Sequence, residues 1–454
     1  MKSWFSLLLI VVALTTHTSV AFASRKPLAI FLNTHIHPEG VDRIVQLQPG
    51  LIRLFLGDWK SEKQVDRLIS TIEALDSLDA RILVQINLFE YPEETEFLAE
   101  VRSLASRLDG RVDYWQLGNE SDSASRRYFP YAETDMVSFA KLLSSYSRAI
   151  KSISPGARTG VSVSTRVFEQ KARTRMFETL VEAIHGNAKE DVQTIDIHWH
   201  REYADAEKLV DHIARVKSYF KGSEIEFLMT ESNTYTQVAR IRKQNGEVAR
   251  ELGFQSEEMQ ASYGIRSVLL GCAGGVSYTA FGYPVERESF GAKKAFSDHP
   301  FALNGLWYSE KKQYDRKQVF SGPKKSAFSY FLLSRLFSVA PVDQCIFVEE
   351  DGLFKVLVEG PAGNYMFVWS MRKEAYGAER EITLEVPEFA GTVYSIDTIV
   401  AEKEEWPPAN LDSFHLEKIN ISPGAGTLNA TVKEGKPLLL LNEEILRKLE
   451  ESMR

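Results

Sequence analysis

The feature that most constrains this chain is an alternation. From Pro27 onward, short and nearly unbroken apolar runs recur, and stretches with helical spacing separate them. The runs are Pro27 to His37, Leu51 to Leu56, Arg81 to Asn87, Val112 to Glu120, Arg158 to Ser164, Thr194 to His200, Glu224 to Glu231 and Gly275 to Phe281. Runs of this kind suit parallel strands covered on both faces. Helices are expected near 62–75, 93–108, 134–153, 173–185, 206–220, 257–270 and 324–337; the first carries Val65, Leu68, Ile69 and Ile72 on one stripe. Eight such units over about 300 residues predict a (β/α)8 barrel across 24–340. An open sheet built for a nucleotide needs a glycine-rich turn after its first strand, and Asn33 to Pro38 offers none.

After Ala340 the pattern changes to seven short β-like runs broken by Gly, Pro and Asp: 345–349, 353–359, 365–370, 382–386, 392–399, 427–432 and 437–441. This predicts an antiparallel β-sandwich across 341–442 as an accessory domain, followed by a charged tail at 443–454 that reads as a frayed helix. At the other end, Lys2, an apolar core from Phe5 to Leu14 and the Ala21-Phe22-Ala23 triplet have the order of a secretory signal ending before Ser24. The apolar core is shorter than the about 20 residues a bilayer requires. The mature chain is therefore expected to be secreted or periplasmic, with no stable membrane insertion. A net charge of -8 argues against the basic face a nucleic acid needs. Cys272 and Cys345 are too few for a disulfide framework, and the sequence leaves open whether they pair. Asn420-Ile421-Ser422 and Asn429-Ala430-Thr431 fit the glycosylation acceptor pattern, the first weakened by Pro423.

In such a barrel, chemistry gathers at the C-terminal ends of the strands. The fourth run ends in Gly118-Asn119-Glu120 and the seventh in Thr230-Glu231, which sets the two glutamates across the barrel mouth from one another. Two carboxyl groups flanking a cleft are what glycoside hydrolysis requires. Adjacent residues of a regular strand point to opposite faces, so the chain must bend or end at Gly118 for both Asn119 and Glu120 to face a ligand.

These motifs, with Arg53 in Ile52-Arg53-Leu54 and the sixth-strand run Ile195 to His200, resemble the retaining (β/α)8 glycoside hydrolases with catalytic glutamates after strands four and seven. Many cellulases, β-xylosidases and α-iduronidases share that layout. The resemblance implies Glu120 as general acid/base, protonated near working pH, and Glu231 as nucleophile. It implies Asn119 at the sugar 2-hydroxyl and Arg53 holding Glu231 ionised. It also implies an oligo- or polysaccharide substrate and no cofactor. His198-Trp199-His200 stands where the family shows His-x-Tyr, and Tyr278 and Phe281 stand where a tryptophan is usual. Tyr203 and Tyr235 are candidates for the tyrosine beside the nucleophile. Sugar contacts are thus expected from Asn119, Arg53, His198, Trp199, His200, Tyr203, Tyr235, Tyr278 and Trp307. Trp59, Phe281, Tyr283 and Tyr308 also follow strands, and rings there either stack on sugar faces or pack the loops. Long loops near 236–256 and 282–322 are placed to narrow the cleft.

Two other readings compete. The first is a barrel that binds polysaccharide without turning it over. The second is a metal-dependent amidohydrolase, suggested by His35-Ile36-His37 and by His198 and His200, which share one strand face. Such sites need a histidine after strand five and an aspartate after strand eight, where this chain has Val161 to Ser164 and Tyr278 to Phe281. No metal is therefore expected.

Overall fold

The computed structural model describes residues 26–33, 38–108, 110–122, 129–242, 248–289, 296–297, 305–309, 320–372, 375–386, 389, 392–403, 405–420 and 426–454. The signal-like leader and the His35/His37 pair lie outside the described residues. Eight parallel strands form the centre: β1 (Leu28–Asn33), β2 (Leu51–Leu56), β3 (Arg81–Ile86), β4 (Tyr114–Leu117), β5 (Arg158–Val163), β6 (Thr194–Ile197), β7 (Glu226–Leu228) and β8 (Thr279–Ala280). β1 pairs with β2 on one side and β8 on the other, and a Met229–Thr279 bridge closes the ring. Helices α1 (Pro38–Leu47), α2 (Glu62–Ala74), α3 (Glu94–Arg107), α4 (Met136–Lys151), α5 (Lys171–Asn187), α6 (Leu209–Ser218), α7 (Glu257–Ala273) and α8 (Lys325–Val339) alternate with the strands. The expected barrel is present. α1 is an addition, a ten-residue helix opened by a proline, the residue favoured at a first helical position.

Strand alternation divides the barrel's side chains into two sets. Ile30, Leu54, Val84, Leu117, Val161 and Ile197 join the core shared with the helices. The inward set is layered: Ala29, Leu51, Leu83, Tyr114, Leu228 and Ala280 make an apolar plug toward the N-terminal end. Nearer the C-terminal ends, Arg53, Gln85, Gln116, Ser162, Asp196 and Thr230 are all buried and polar. Unpaired polar groups there would each cost a few kcal/mol, so this layer has to satisfy itself.

The loops after β7 and β8 are not plain loops. Gln237–Arg242 and Val248–Gln255 form a hairpin, and Val238 pairs with Phe296 of the other excursion, so the two are joined. Beyond α8, a six-stranded antiparallel sheet comprises β9 (Gln344–Glu350), β10 (Leu353–Glu359), β11 (Tyr365–Ser370), β13 (Thr392–Asp397), β14 (Leu416–Asn420) and β16 (Leu438–Asn442); β12 (Glu379–Glu385) and β15 (Thr427–Lys433) cover it as a pair. β14 is one strand more than the seven expected. The final segment is a helix as expected, but a docked one rather than a frayed one: α9 (Glu443–Met453) is capped by Asn442, with Ile445, Leu446, Leu449 and Met453 buried and α8 beside it. Its apolar residues recur at helical spacing, which outweighs its charge.

The sandwich is welded to the barrel. The Arg266 guanidinium on α7 is fully buried, pairs with Glu207, lies over the Tyr203 ring at 4.2 Å and donates to the Tyr203 carbonyl at 2.8 Å. From the sandwich, Trp369 donates to the same Glu207 carboxylate at 3.1 Å. Gly435 (φ 72°) docks against Tyr203 so closely that an added Cβ would fall 1.3 Å from its hydroxyl, so only glycine fits. Trp406 packs edge-on against Trp307 at 5.0 Å. Cys272 at the end of α7 is bonded to Cys345 on β9, closing a span of 73 residues. A link of that span removes about 3 to 5 kcal/mol of freedom from the unfolded chain. Reducing agent, or Cys272→Ser with Cys345→Ser, is expected to lower the thermal midpoint by several degrees; an unchanged midpoint would show that interface packing alone sets the stability.

Candidate active site

β4 ends at Leu117, and Gly118 follows with φ 76°, a conformation that costs glycine nothing. Glu120 is also left-handed at φ 47°, a strain of about 1 to 2 kcal/mol for a residue with a Cβ. It is held there because its N–H donates to Ser162 Oγ at 2.8 Å while the Ser121 N–H donates to the Ser162 carbonyl at 2.9 Å. The bend anticipated at Gly118 is thus present, and Asn119 and Glu120 both face the buried polar cluster, Asn119 at Arg53 and Glu120 at His198.

Arg53 organises the other side. Fully buried on β2, it pairs with Glu231, donates to Gln85, and donates to Asn119 Oδ1 at 3.2 Å. Its guanidinium lies 4.6 Å from the centre of the Phe31 ring. The Gln85 amide in turn donates to the Gly118 carbonyl at 3.1 Å, which ties the β4 bend to the arginine.

His198 occupies the centre with no exposed surface. Its Nδ1 lies 3.4 Å from Glu120 Oε1 and 3.8 Å from Glu231 Oε2, and its Nε2 lies 3.5 Å from Asp196 Oδ2. These are ion-pair distances; neither nitrogen meets a partner in hydrogen-bond geometry. Asp196 is fixed by the Thr230 N–H at 2.7 Å and the Thr230 hydroxyl at 2.5 Å. Burial alone would lower the His198 pKa, but the Glu231, Asp196 and Glu120 carboxylates outweigh it and push it up to about 10. Burial favours a proton on Glu231 too, yet His198 and Arg53 prevail and hold it well below the usual carboxylate range. Burial likewise favours a proton on Glu120, and His198 again prevails, so Glu120 is lowered as well. This direction is opposite to the one a standing proton on Glu120 calls for. The reason is the imidazolium beside it.

His200 stands beside Glu231, with Nε2 3.2 Å from Glu231 Oε2 and Nδ1 2.8 Å from Asn233 Oδ1. The two tyrosines considered for that place are elsewhere. Tyr203 belongs to the domain interface, and the Tyr235 hydroxyl donates to the Gly253 carbonyl at 2.9 Å. Three other expected sugar contacts are also displaced. Trp199 continues the outward set of Ile195 and Ile197 and packs on His212 at 4.9 Å. Tyr278 sits beside the apolar plug, 6.3 Å from Tyr114, at the opposite end of the barrel from the glutamates. Trp307 is buried against Trp406. Of the remaining rings, Phe281 is buried against Tyr330 at 5.5 Å and Tyr283 lies edge-on to Phe31 at 4.9 Å. Trp59 packs on Phe97 at 5.0 Å, and Tyr308 lies under Lys403.

Several members of the site escaped the sequence reading. Gln85, Ser162 and Asp196 are signalled only by being polar at inward positions of otherwise apolar strands. Arg173, from the first turn of α5, lies 3.9 Å from Glu120 and donates to Ser164 Oγ at 2.7 Å. Buried Asp122 accepts from the Ser164 N–H at 2.7 Å and the Ser164 hydroxyl at 2.6 Å; burial, then Glu120, pushes its pKa up to about 6.

Among the described residues, His198, His200 and Glu231 bring possible metal ligands within 4.8 Å of one another. The donor set fits a cation poorly. Glu231 is already engaged by the Arg53 guanidinium, and the carboxylates around His198 push its pKa up, which favours a protonated ring over a metal-ligating one. At strand five, where an amidohydrolase needs a histidine, Ser162 and Ser164 bond to the Glu120 and Asp122 segment instead.

No family model matches the sequence, and no curated protein matches it. Solved structures of similar fold include an α-L-arabinofuranosidase from Thermotoga maritima, with TM-score 0.56, 10% identity and coverage of 93% of this chain and 98% of that one. A family 51 α-L-arabinofuranosidase from Bifidobacterium longum gives 0.57, 10%, 93% and 97%. A glucosidase from Croceicoccus marinus gives 0.52, 10%, 92% and 96%. At this identity the likeness is one of fold, and it spans the barrel and the sandwich together.

The charge cluster has a consequence for stability. His198 is raised above its free value of about 6.5, so its contribution is complete below that pH and is lost as pH climbs toward about 10. Glu231 is lowered, so its contribution is present above about 4.3 and is lost as pH falls through its folded value. The urea midpoint is expected to decline from about pH 6.5 to about pH 10 in the native protein and to decline less in His198→Gln. Equal slopes in the two proteins would refute this assignment.

Proposed function

We propose that this chain is an exported, retaining glycoside hydrolase acting on an oligo- or polysaccharide, with Glu231 as nucleophile and Glu120 as general acid/base. The observation that carries the reading is an asymmetry. Two glutamates after β4 and β7 approach the same imidazole nitrogen, yet only Glu231 is clamped by a fully buried arginine. A carboxylate stripped of its proton affinity suits attack on an anomeric carbon. Glu120 faces cations that can give up or loosen their hold, which suits a group that must gain and lose a proton. In the first step a Glu231 oxygen bonds to C1 while the bond to the leaving oxygen breaks and Glu120 protonates that oxygen. In the second, water bonds to C1, its proton passes to Glu120, and Glu231 is released. Asn119 accepts from Arg53 through Oδ1, which leaves its amide N–H groups to donate to a sugar hydroxyl.

A retaining pair stands about 5 to 5.5 Å apart and an inverting pair about 6.5 to 9.5 Å. Contact with one shared nitrogen favours the shorter class. The similar solved structures, arabinofuranosidases and a glucosidase among them, support the reaction class. The Cys272–Cys345 bond supports an oxidising compartment, as does the signal-like leader. Exposed rings follow the barrel strands on the side that bears the glutamates: Phe89 and Tyr91 after β3, 51% and 55% exposed, and Phe254 after β7, 60% exposed. Tyr91 is braced by Tyr131 at 4.6 Å and by Asp135, so it offers a sugar a fixed face. These rings favour a substrate longer than one sugar.

Glu231→Gln is expected to cut turnover of an activated aryl glycoside by at least about a thousandfold while sugar binding survives. NMR of the first-formed sugar in the native reaction is expected to show the anomer of the substrate. The opposite anomer would require the inverting scheme, and absence of turnover on a broad panel of aryl glycosides would defeat the reading. Tyr91→Ala is expected to raise KM on oligosaccharides about three- to tenfold and to raise it less on a short aryl glycoside; equal effects on both would assign the ring to loop packing.

A further inference from the structure

We propose that His198 stores the catalytic proton of the resting site and delivers it to Glu120 when a glycosidic oxygen is in place. This rests on the hydrolase reading and deepens it. Acid catalysis needs a proton on Glu120 and none on Glu231, but the resting pocket surrounds both with cations. The groups facing the His198 ring come from every side: Asp196 and His200 from the β6 segment, Glu120 after β4 and Glu231 after β7. Behind the glutamates stand Arg53 from β2 and Arg173 from α5. Three carboxylates, Glu120, Glu231 and Asp196, thus meet around one buried imidazole, with Arg53 behind Glu231 and Arg173 behind Glu120.

A proton between these groups has two places to sit without changing the net charge: on His198 Nδ1 or on Glu120 Oε1, 3.4 Å apart. In the transfer the Nδ1–H bond breaks, its electron pair stays on the ring, and an O–H bond forms on Glu120. The ring keeps its other proton on Nε2, which faces Asp196 at 3.5 Å, so a neutral tautomer is ready to receive. Glu120 then protonates the leaving oxygen as Glu231 bonds to C1. In the second step the water proton reaches Glu120 and returns to Nδ1, restoring the start. The ring is held for this by its backbone, with the His198 N–H donating to the Val163 carbonyl at 2.9 Å and its carbonyl accepting from Thr165 Oγ1 at 3.0 Å. With no solvent-exposed surface, His198 can exchange protons only through its neighbours. His198 is a positioning and proton-storing residue that acts through Glu120.

Two coupled sites lose a shared proton with an apparent pKa that belongs to the pair. Acid catalysis should therefore persist to higher pH than a lone carboxyl allows. The test is kcat/KM against pH for two aryl glycosides, one with a poor leaving group that needs protonation and one with a leaving group that does not. On the poor leaving group, the native alkaline limb is expected above about pH 8, and in His198→Gln it should fall by at least about one pH unit. The good leaving group should show no matching shift. An unmoved limb, or an equal loss on both substrates, overturns the proposal. Hydrolysis of neither substrate by the native protein overturns the hydrolase reading and this proposal with it. Because the variant can fail to fold, NMR of the native protein labelled with 15N-histidine provides an independent check. At least one imidazole is expected to remain protonated above about pH 8, and titration of every imidazole below that pH overturns the proposal.

Discussion

The buried guanidinium of Arg53 is the group on which the upper half of the barrel depends. From β2 it engages Glu231 after β7, Gln85 on β3, Asn119 after β4 and the Phe31 ring on β1. Burying a charge is favourable only when its partners satisfy it, and removing one partner from such a pair costs about 3 to 5 kcal/mol. The polar layer above the apolar plug is therefore cooperative. Gln85 orients the Gly118 carbonyl, Gly118 permits the turn, and the turn places Glu120, whose N–H needs Ser162. Stability in this layer and readiness for chemistry are the same set of hydrogen bonds.

The sandwich belongs to this argument. The segment that follows His200 passes through Tyr203 and Glu207, and both are fixed from beyond the barrel: Tyr203 by the turn at Gly435, Glu207 by Trp369. The Arg266 cation satisfies Glu207 in a buried setting where an unpaired carboxylate would be costly. A domain that reads as an accessory thus braces the loop leaving the sixth strand, and the disulfide from α7 to β9 holds the two together.

Much of this was legible in the sequence. The eight apolar runs have lengths and spacings that parallel strands require, and counting them placed Glu120 and Glu231 on the fourth and seventh. Alternation put His198 and His200 on one face. The same rule, applied one residue over, sends Trp199 outward with Ile195 and Ile197, where it packs on His212. Tyr278 misled for a related reason. Its run was taken as a strand from Gly275 to Phe281, whereas only Thr279 and Ala280 lie in β8, so Tyr278 enters at the wrong end of the barrel to meet a substrate. The charge of the final helix points to a frayed end, whereas Ile445, Leu446, Leu449 and Met453 keep helical spacing and are buried.

What the sequence by itself determined is the order of elements, the class of fold and the placement of Glu120 and Glu231 after the fourth and seventh strands, because these follow from local periodicity and from counting. What only the tertiary structure decided is the state of charge in the pocket. Whether Glu120 carries a proton depends on Arg53, Glu120, Arg173, Asp196, His198 and Glu231 meeting within a few ångströms, though they come from five separate segments of the chain. Electrostatic interaction depends on distance and burial, and neither is written in the spacing of residues along a chain.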